Sequence, residues 1–439
     1  MNVFRSADIL LPKTEEMEKW AVIACDQFTS DPAYWQRVRD FAKGAPSTID
    51  LVLPEAELGT AQEAAHIACI NKTMTQYLEE DAFLCYPDSY IYVERTLENG
   101  SVRRGLVGMV DLETYDFSAG STSQIRATEK TVVERIPPRM KVRRNAGIEL
   151  PHIIMLCDDH DKVLVEPITA IKDQLKKLYD FNLMEAGGHI TGWLVDGEMA
   201  RAFDSRLEEY SKNVGQKYAD LSGVPMTFAI GDGNHSLATA KSCYEELKQQ
   251  NPGVDLSNHP ARFALVELEN IHDDAQVFEP IHRVICQTEP KKLLNALQKE
   301  CGADSGFAVR WHIGSENGTI YLNPAKGELA VGILQVFLDS YLKENAGEID
   351  YIHDDDALIE LAQKPDSIGF LLPSMERVSC SVALLQTAFC PGRPSPWATP
   401  EKNVIIWKDA RSDEHRPAKG VWQTESDLGR FRKTSGRLP

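Results

Sequence analysis

The amino-acid sequence predicts an α/β protein. Its sheet layers are expected to be mixed, as in α+β proteins, and to pack against helices. Three observations support this fold class. Between residues 150 and 270, apolar β-rich runs alternate with amphipathic helical segments, which is typical of α/β layering. Apolar residues make up 43% of the chain and charged residues 26%, which are values of a globular protein. A length of 439 residues suits two or three structural units.

The first elements follow from apolar spacing and turn residues. Asn99-Gly100 between two β-rich runs is the strongest short-range signal for a β-hairpin. The basic stretch 135–144 comes next, and Pro137-Pro138 predicts that no helix runs through it. The elements predicted before this stretch are a helix starting at Asp31-Pro32, a helix over 60–83, and strands over 89–97 and 102–112.

The middle and last parts of the chain alternate between strands and helices. Segment 150–159 is predicted to be a buried strand that ends in two acids. The next predicted elements are a helix near 167–180, a strand at 190–195, a helix at 197–214, a strand at 226–230, a helix at 235–250 and a strand at 261–270. After Glu289-Pro290, we expect a helix, strands at 307–313 and 318–323, a helix at 332–345, a further strand, helix and strand, and a last helix at 374–388. This predicts a main domain over 1–290 and a smaller C-terminal α/β module over 291–385.

Charge and composition exclude several classes of function. The formal net charge of −19 disfavours broad contact with a nucleic-acid backbone or an anionic membrane, although a locally positive cleft can still bind a small anion. The nine cysteines include no Cys-x-x-Cys pair, so a disulfide framework or structural zinc is not expected. The first residues lack a signal-peptide core, and no stretch has the roughly 20 apolar residues of a spanning helix. We therefore expect a cytoplasmic protein with a small-molecule substrate and no membrane partner; the oligomeric state is left open.

The strongest candidate for a functional segment is 226–247. A β-rich run ends in Gly231-Asp232-Gly233-Asn234, and a helix starts near His235-Ser236. Two glycines at a strand-to-helix turn permit positive φ and close approach of a ligand, and the positive end of a starting helix suits phosphate. These polar side chains could hold a metal, a phosphate or a substrate hydroxyl. The alternative is that Asn234 or Ser236 caps the helix and Asp232 lies in a turn.

Three other polar clusters are candidates for the same cleft. Asp26 follows an apolar strand, where side chains often reach a cleft, and its alternative role is a helix-entry turn. His282-Arg283 is either an anion contact or a surface pair. The remaining cluster precedes the basic stretch and is either a phosphate contact or a solvated loop; it contains Arg126, Glu129, Lys130 and Thr131.

Several separated stretches resemble one protein family over most of residues 5–385. They read ADILLPK, WAVIACDQFTSDPAYW, RRGLVGMVDLETYD, IRATEKTVVERIPPR, LPHIIMLCDD, AIGDGNHSLATAK and FEPIHRVI. Their order and spacing are similar to those of the family called "domain of unknown function 1015", most of all to a branch in anaerobic Gram-positive bacteria. In most of that family the strand-turn-helix reads Asp-Gly-His-His-Arg, where this chain has Asp232, Gly233, Asn234, His235 and Ser236.

The Asp-Gly-His-His-Arg segment of the family is itself similar to the nucleotide-binding turn of the ParB/sulfiredoxin-like fold. Members of that fold include free-serine kinases, partition proteins and sulfiredoxin. The resemblance implies a ParB/sulfiredoxin-like core, a nucleotide phosphate on 231–236, and phosphoryl transfer to a hydroxylated metabolite such as serine. Ser236 stands where the family has an arginine that would hold phosphate bidentately. Either the substrate differs or another arginine supplies the charge, from among Arg283, Arg126 and Arg135.

The kinase hypothesis gives each candidate residue a role. The amides of 233–236 and His235 would cradle the phosphates of ATP or ADP, with Mg²⁺ bridging them and held by Asp232. Asp26 or Glu129 would accept the proton of the substrate hydroxyl. The remaining contacts to phosphate would come from the Gly231 turn and from Arg126, Thr131, His282 and Arg283.

Two alternatives to a kinase stay open. One is a nucleotide-responsive binding or regulatory protein, which would bind nucleotide without forming a product. The other is nucleic-acid binding, as in partition proteins. It conflicts with the acidic balance of the chain, and its candidate surface is the basic stretch 135–144.

The resemblance ends after about residue 385. The family continues there with a stretch close to Asp-Gly-Val-Leu-Pro-Arg-Lys-Thr-Phe-Ser-Met-Gly. Codons for 386–398 that are read one nucleotide out of phase can encode that stretch. We hypothesise that 386–439 is a frameshifted reading of the gene and that 391–439 packs poorly. The DNA sequence tests this, because the shifted frame must encode the family stretch for the hypothesis to survive.

Overall fold

The structure is a computed structural model whose described residues form two sheets with helices on their faces. The chain is thus an α/β protein with mixed sheet layers, as the sequence predicts. The described residues are 3–23, 31–54, 57, 60–97, 99–118, 121–128, 136–150, 153–217, 226–275, 282–327, 329–352, 355–373 and 407–408.

The strands and helices are numbered in chain order. The strands are β1 (Phe4–Arg5), β2 (Ala7–Pro12), β3 (Phe83–Thr96), β4 (Val102–Asp111), β5 (Tyr115–Asp116), β6 (Ile125–Ala127), β7 (Ile154–Cys157), β8 (Lys177–Asn182), β9 (His189–Val195), β10 (Phe228–Asp232), β11 (Phe263–Asn270), β12 (His282–Cys286), β13 (Gly302–Ile313), β14 (Glu316–Leu322), β15 (Glu348–Ile352), β16 (Ile368–Leu371) and β17 (Trp407–Lys408). The helices are α1 (Met17–Trp20), α2 (Pro32–Ala42), α3 (Glu63–Glu79), α4 (Ile136–Arg143), α5 (Glu166–Thr169), α6 (Gly197–Lys217), α7 (Asn234–Gln250), α8 (Pro290–Cys301), α9 (Ala330–Glu344) and α10 (Asp355–Ala362).

The large sheet is mixed. Its main strand order is β17-β2-β3-β4-β11-β7-β10-β6-β5, with β1 paired to β4 and the β8–β9 hairpin paired to β3 through β9. Strands β5, β6 and β10 run parallel to one another, as do β7 and β11, whereas β7 and β10 are antiparallel. Strand β7 is buried at every residue, which fits a strand covered on both faces.

Apolar side chains cover both faces of the large sheet. One face packs Phe203 and Leu207 of α6 and Leu237 of α7 against the strands. The other face buries Ile23 together with β8 and β9 residues, and separate clusters fix α2 and α3 to the molecule. The sheet therefore lies between two layers, with α7 held by its apolar side.

Two local predictions are confirmed. Strands β3 and β4 form an antiparallel hairpin that closes at Asn99-Gly100, where Gly100 has a φ of 80°. Helix α2 begins at Pro32, and the Asp31 side chain accepts a hydrogen bond from the Tyr34 N–H at 3.0 Å. Proline at the first helical position and aspartate at the cap are the residues that such a helix start favours.

Two other local predictions are wrong. The basic stretch contains helix α4, with Pro137 and Pro138 in its first turn. Proline fits there because the first-turn N–H groups have no partner within a helix. The helix expected over 167–180 is limited to α5 and a short 3₁₀ turn, and the chain then enters strand β8. Strand β8 pairs with β9, so tertiary pairing overrides the local helical pattern.

The second sheet has the order β14-β13-β16-β12-β15. Its core includes α8 and α9, and α10 contributes Leu358 and Ala362 beside Gly369 of β16. Strand β12 begins at His282, so this sheet starts ahead of the boundary expected at residue 290. The helix expected at 374–388 lies outside the described residues. Of the segment 386–439, the described part is β17, which pairs with β2.

Candidate functional site

The turn 231–236 lies where two parallel strands end side by side. Strands β6 and β10 are in register from Ile125–Phe228 to Ala127–Ile230, so their carboxyl ends share one edge of the large sheet. A Cβ atom on Gly231 would lie 2.8 Å from the Leu156 side chain, so this position requires glycine. Gly233 has a φ of 77°, the left-handed region that glycine adopts without strain. Glycines at these two positions therefore set the backbone path.

Helix α7 starts directly after this turn. Gly233 is its N-cap, and the first bond of the helix runs from the Leu237 N–H to the Gly233 carbonyl at 2.9 Å. The N–H groups of residues 234–236 therefore have no role in the helical ladder and form its positive end. This is the arrangement that binds phosphate at the start of helices in other α/β proteins.

The Asn234 side chain faces inward. It is 1% exposed, its Oδ1 accepts from the Thr128 N–H at 3.3 Å, and its Nδ2 donates to Thr128 Oγ1 at 3.3 Å and to the Ile230 carbonyl at 3.5 Å. Thr128 Oγ1 in turn donates to the Ile230 carbonyl at 2.6 Å. The expectation that the Asn234 side chain binds phosphate or caps α7 is thus corrected, since its amide joins the end of β6 to the turn. The sequence reasoning overlooked Thr128, which showed no motif.

Arg126 lies on β6 two residues before Thr128, so both side chains point to the same side of the strand. It is 7% exposed, and its Nε donates to the Ser123 carbonyl at 3.0 Å. Burial lowers the pKa of the Arg126 guanidinium. Arg126 pairs with Ala229 of β10, three residues before Asp232, which places it on the strand next to the one that leads into the turn.

His282 and Arg283 belong to the second sheet. His282 Nε2 donates to Asp355 Oδ1 at 2.6 Å, and its Nδ1 accepts from the Leu372 N–H at 3.0 Å, so both ring nitrogens are engaged. Arg283 is 1% exposed, donates to Gln335 Oε1 at 2.8 Å and stacks on Tyr351. The structure engages both side chains within the C-terminal module, and they are removed from the candidate site.

Four of the remaining predicted site residues lie outside the described part of the chain: Asp26, Glu129, Thr131 and Arg135. Thr128 is the last described residue before Glu129. Among the described residues, no group of three His, Cys, Asp or Glu side chains is arranged to hold a metal ion. The assignment of Mg²⁺ to Asp232 therefore stays a prediction.

Three interior strands of the large sheet, β3, β4 and β11, carry a group of buried charges that sequence reasoning missed. We call Arg95, Arg103, Glu267 and Glu269 the buried quartet. Arg103 Nε lies 3.0 Å from Glu269 Oε1, and Arg103 Nη2 lies 3.7 Å from Glu267 Oε2. Burial raises the pKa of Glu267, against the opposing effect of Arg103 and Arg95. Because two arginines balance two glutamates, we interpret the quartet as a structural element of the sheet.

A second polar group lies at the carboxyl ends of the parallel strands β7 and β11. His272 Nε2 is 2.7 Å from Asp158 Oδ1. Asn270 Nδ2 donates to Glu166 Oε1 at 2.9 Å and to the Asp159 carbonyl at 2.8 Å. Burial raises the pKa values of both Asp159 and Glu166. The two acids that end the strand at 150–159 were the available signal, because carboxyl ends of parallel strands gather polar side chains.

Helix α4 and the residue that follows it place three basic side chains in ion pairs. Lys141 Nζ is 2.7 Å from Glu63 Oε1, Arg143 Nη1 is 2.9 Å from Glu149 Oε1, and Arg144 Nε is 2.7 Å from Glu246 Oε2. These pairs attach α4 to α3 and α7. The basic stretch is therefore largely neutralised by carboxylates of the same chain, which counts against a nucleic-acid interface there.

The fold and the turn define an α/β protein with a strand–glycine turn–helix site at one sheet edge. The chain matches the family described as "Protein of unknown function (DUF1015)" over residues 7–381, and it belongs to this family. This confirms the resemblance inferred from the sequence.

Comparisons with individual proteins add little. One solved structure to which the chain is similar is "SbnI with C-terminal truncation from Staphylococcus aureus", at 10% sequence identity and a TM-score of 0.32. That match covers 65% of this chain and 80% of that chain, and at this TM-score it carries no argument about function. No curated protein matches the chain. None of the helices in the described part of the chain is both long and apolar enough to cross a bilayer.

Proposed function

We propose that the protein binds the phosphates of ATP or ADP at the turn 231–236 and transfers a phosphoryl group to a small hydroxylated metabolite such as serine. The observation that carries this proposal is the left-handed Gly233, which follows β10 and is the N-cap of α7, beside the parallel pair of β10 and β6. Backbone N–H groups and the helix dipole then act together on an anion.

The proposal assigns a role to each residue of the site. The backbone N–H groups of 234–236 and the His235 side chain contact the phosphates, and Asp232 holds Mg²⁺. Arg126 contributes the positive charge, because it lies on the neighbouring parallel strand. Asp26 or Glu129 is the proposed base for the substrate hydroxyl. Asn234 contributes its backbone N–H alone, since its side chain is bonded to Thr128.

Calorimetric titration with ADP and with ATP in the presence of Mg²⁺ tests the first step. We expect saturable binding to the full chain and a loss of about five- to tenfold or more in affinity for Gly233→Ala, because a Cβ atom disfavours the left-handed turn by roughly 1–2 kcal/mol and redirects the donors. Gly100→Ala is the matched control, since Gly100 has a similar φ of 80° and open space around its Cα. Absence of nucleotide binding to the unmodified chain would overturn the proposal.

A regulatory protein without turnover is the second candidate. Ser236 stands where an arginine is expected from the family pattern, and Arg283 is engaged in the second sheet, so fewer cations serve a transferred phosphoryl group. Incubation with ATP or ADP, Mg²⁺ and a panel of hydroxylated amino acids, followed by ³¹P NMR, separates the two functions. A phosphorylated product supports the kinase, whereas nucleotide binding with no product supports the regulatory protein.

A further inference from the structure

A hollow of about 400 Å³ lies in the C-terminal module, distinct from the turn 231–236. It is formed where β12 ends, where α8 begins and where α9 ends. A volume of this size is within the range of small-molecule sites. The residues that line it include Thr288, Glu289, Lys292, Tyr341 and Asp366.

The Thr288 hydroxyl is the first indication of a ligand. Thr288 is 6% exposed, and within the described residues its Oγ1 is buried and has no hydrogen-bond partner. A buried hydroxyl without a partner costs roughly 1–3 kcal/mol. Since Thr288 lines the hollow, a polar ligand atom bound there would remove this cost.

The backbone around Thr288 is strained on both sides of the hollow. Gln287 has a φ of 54° and Asp366 a φ of 60°, the left-handed region that residues with a Cβ adopt at a cost. The Thr288 N–H donates to the Asp366 carbonyl at 3.0 Å, which ties these two segments together. The fold therefore holds the walls of the hollow in a fixed arrangement.

The charges around the hollow are mixed. Helix α8 starts at Pro290, its first bond runs from the Leu293 N–H to the Glu289 carbonyl at 3.0 Å, and Glu289 makes no side-chain cap. Lys292 Nζ lies 3.2 Å from Glu289 Oε1, so these two charges already form an ion pair in the absence of a ligand. The positive end of α8 stands against the carboxylate of Asp366. A simple anion would meet both carboxylates, and a simple cation would meet Lys292 and the helix end.

We infer that this hollow binds a small zwitterion that carries one carboxylate and one ammonium group, as an amino acid does. The carboxylate accepts hydrogen bonds from the Thr288 hydroxyl and Lys292 at the start of α8. The ammonium group lies toward Asp366 and the ring of Tyr341, which offers a face for a cation. This inference is independent of nucleotide binding at the turn.

Equilibrium dialysis of the full chain against labelled α-amino acids and glycine betaine tests the inference, with acetate and ethylamine as probes that carry a single charge. We expect at least one zwitterion to bind and both single-charge probes to fail. Thr288→Val and Lys292→Gln should each weaken that binding about tenfold, the effect of one charge-assisted hydrogen bond. Lys299→Gln, in the last turn of the same helix, should bind as the unmodified chain does.

Thermal melting separates a binding role of Thr288 from a structural role. Thr288→Val removes a buried hydroxyl that has no partner in the described structure, so the ligand-free variant should melt at or above the temperature of the unmodified chain. The melting shift that the zwitterion causes should be lost in the variant. The inference is overturned if no zwitterion binds, if acetate or ethylamine binds equally well, or if Thr288→Val retains full affinity.

Discussion

Two regions of the large sheet use polarity in different ways. At the turn, β6 and β10 end in parallel, and the donors are backbone N–H groups at the start of α7. In the interior strands β3, β4 and β11, the donors and acceptors are charged side chains that face one another. Backbone donors keep their direction when a ligand binds, whereas a charged pair must separate first. This difference is why we propose ligand binding for the first region and structural support for the second.

Breaking the buried quartet should have the largest effect on stability. Arg103→Met leaves Glu267 and Glu269 buried without that guanidinium, so we expect a loss of about 3–5 kcal/mol in the free energy of unfolding, measured by urea denaturation. Nucleotide binding by the remaining folded protein should be unchanged, because the quartet lies on β3, β4 and β11, which do not pair with β6 or β10 in the described part of the chain. A loss below about 1 kcal/mol would show that the quartet is hydrated and would weaken the comparison.

Much of the fold could be predicted because local signals agreed with the tertiary structure. The hairpin at Asn99-Gly100 and the start of α2 each depend on residues within one turn. Strand β8 could not be predicted, because its pairing with β9 comes from tertiary contacts that no local pattern records. The Pro137-Pro138 pair predicts the end of a helix, yet proline fits the first turn of a helix, where α4 places both residues.

The candidate site could be predicted in part. The glycines at 231 and 233 signal the turn directly, because φ and close packing require them. The role of Asn234 was not predictable, since an asparagine at a helix start is usually a cap and its partner Thr128 is 106 residues away. His282-Arg283 resembles an anion contact in sequence, but its partners come from α9, α10, Tyr351 and the Leu372 N–H.

Removing the Asn234 side chain should have the next largest effect. Asn234→Ala leaves Thr128 and the Ile230 carbonyl with fewer partners in a buried position, so we expect a loss of about 1–3 kcal/mol in the free energy of unfolding. Asn251→Ala, at the other end of α7, removes a more exposed bond to the Leu247 carbonyl and should cost less. Urea denaturation of both variants measures the difference. Equal losses would mean that Asn234 does not hold the turn to β6.

Glu166, which accepts a hydrogen bond from Asn270 at the end of β11, gives a prediction of opposite sign: its replacement should stabilise the protein. Because burial raises the pKa of Glu166, its stabilising contribution is present below the unfolded glutamate pKa of about 4.3 and is lost as pH rises through the folded pKa. Glu166→Gln keeps an acceptor for Asn270 and stays neutral. We expect the variant to be more stable than the unmodified chain at pH 8 and equally stable at pH 4, as measured by urea midpoints. Lower stability at pH 8 would contradict this sign.

The smallest effect on stability is expected on the protein surface where α4 contacts α7. Arg144 donates to Glu246 through Nε at 2.7 Å and Nη2 at 2.9 Å, yet the two side chains are 47% and 30% exposed. Solvent screens such a pair, so a double-mutant cycle with Arg144→Ala and Glu246→Ala should give a coupling of about 0.2–1 kcal/mol that falls with added salt.

The same variants address the nucleic-acid alternative. If the basic residues of α4 serve to attach the helix to its neighbours, Glu246→Ala should not produce an electrophoretic shift of DNA or RNA at physiological salt. A shift that appears in the unmodified chain and vanishes when Arg139, Lys141, Arg143 and Arg144 are neutralised would instead make α4 a binding surface. In that case charged side chains, rather than backbone donors, would define the ligand site. The difference between the turn and the buried quartet would then no longer predict where the protein binds its partners.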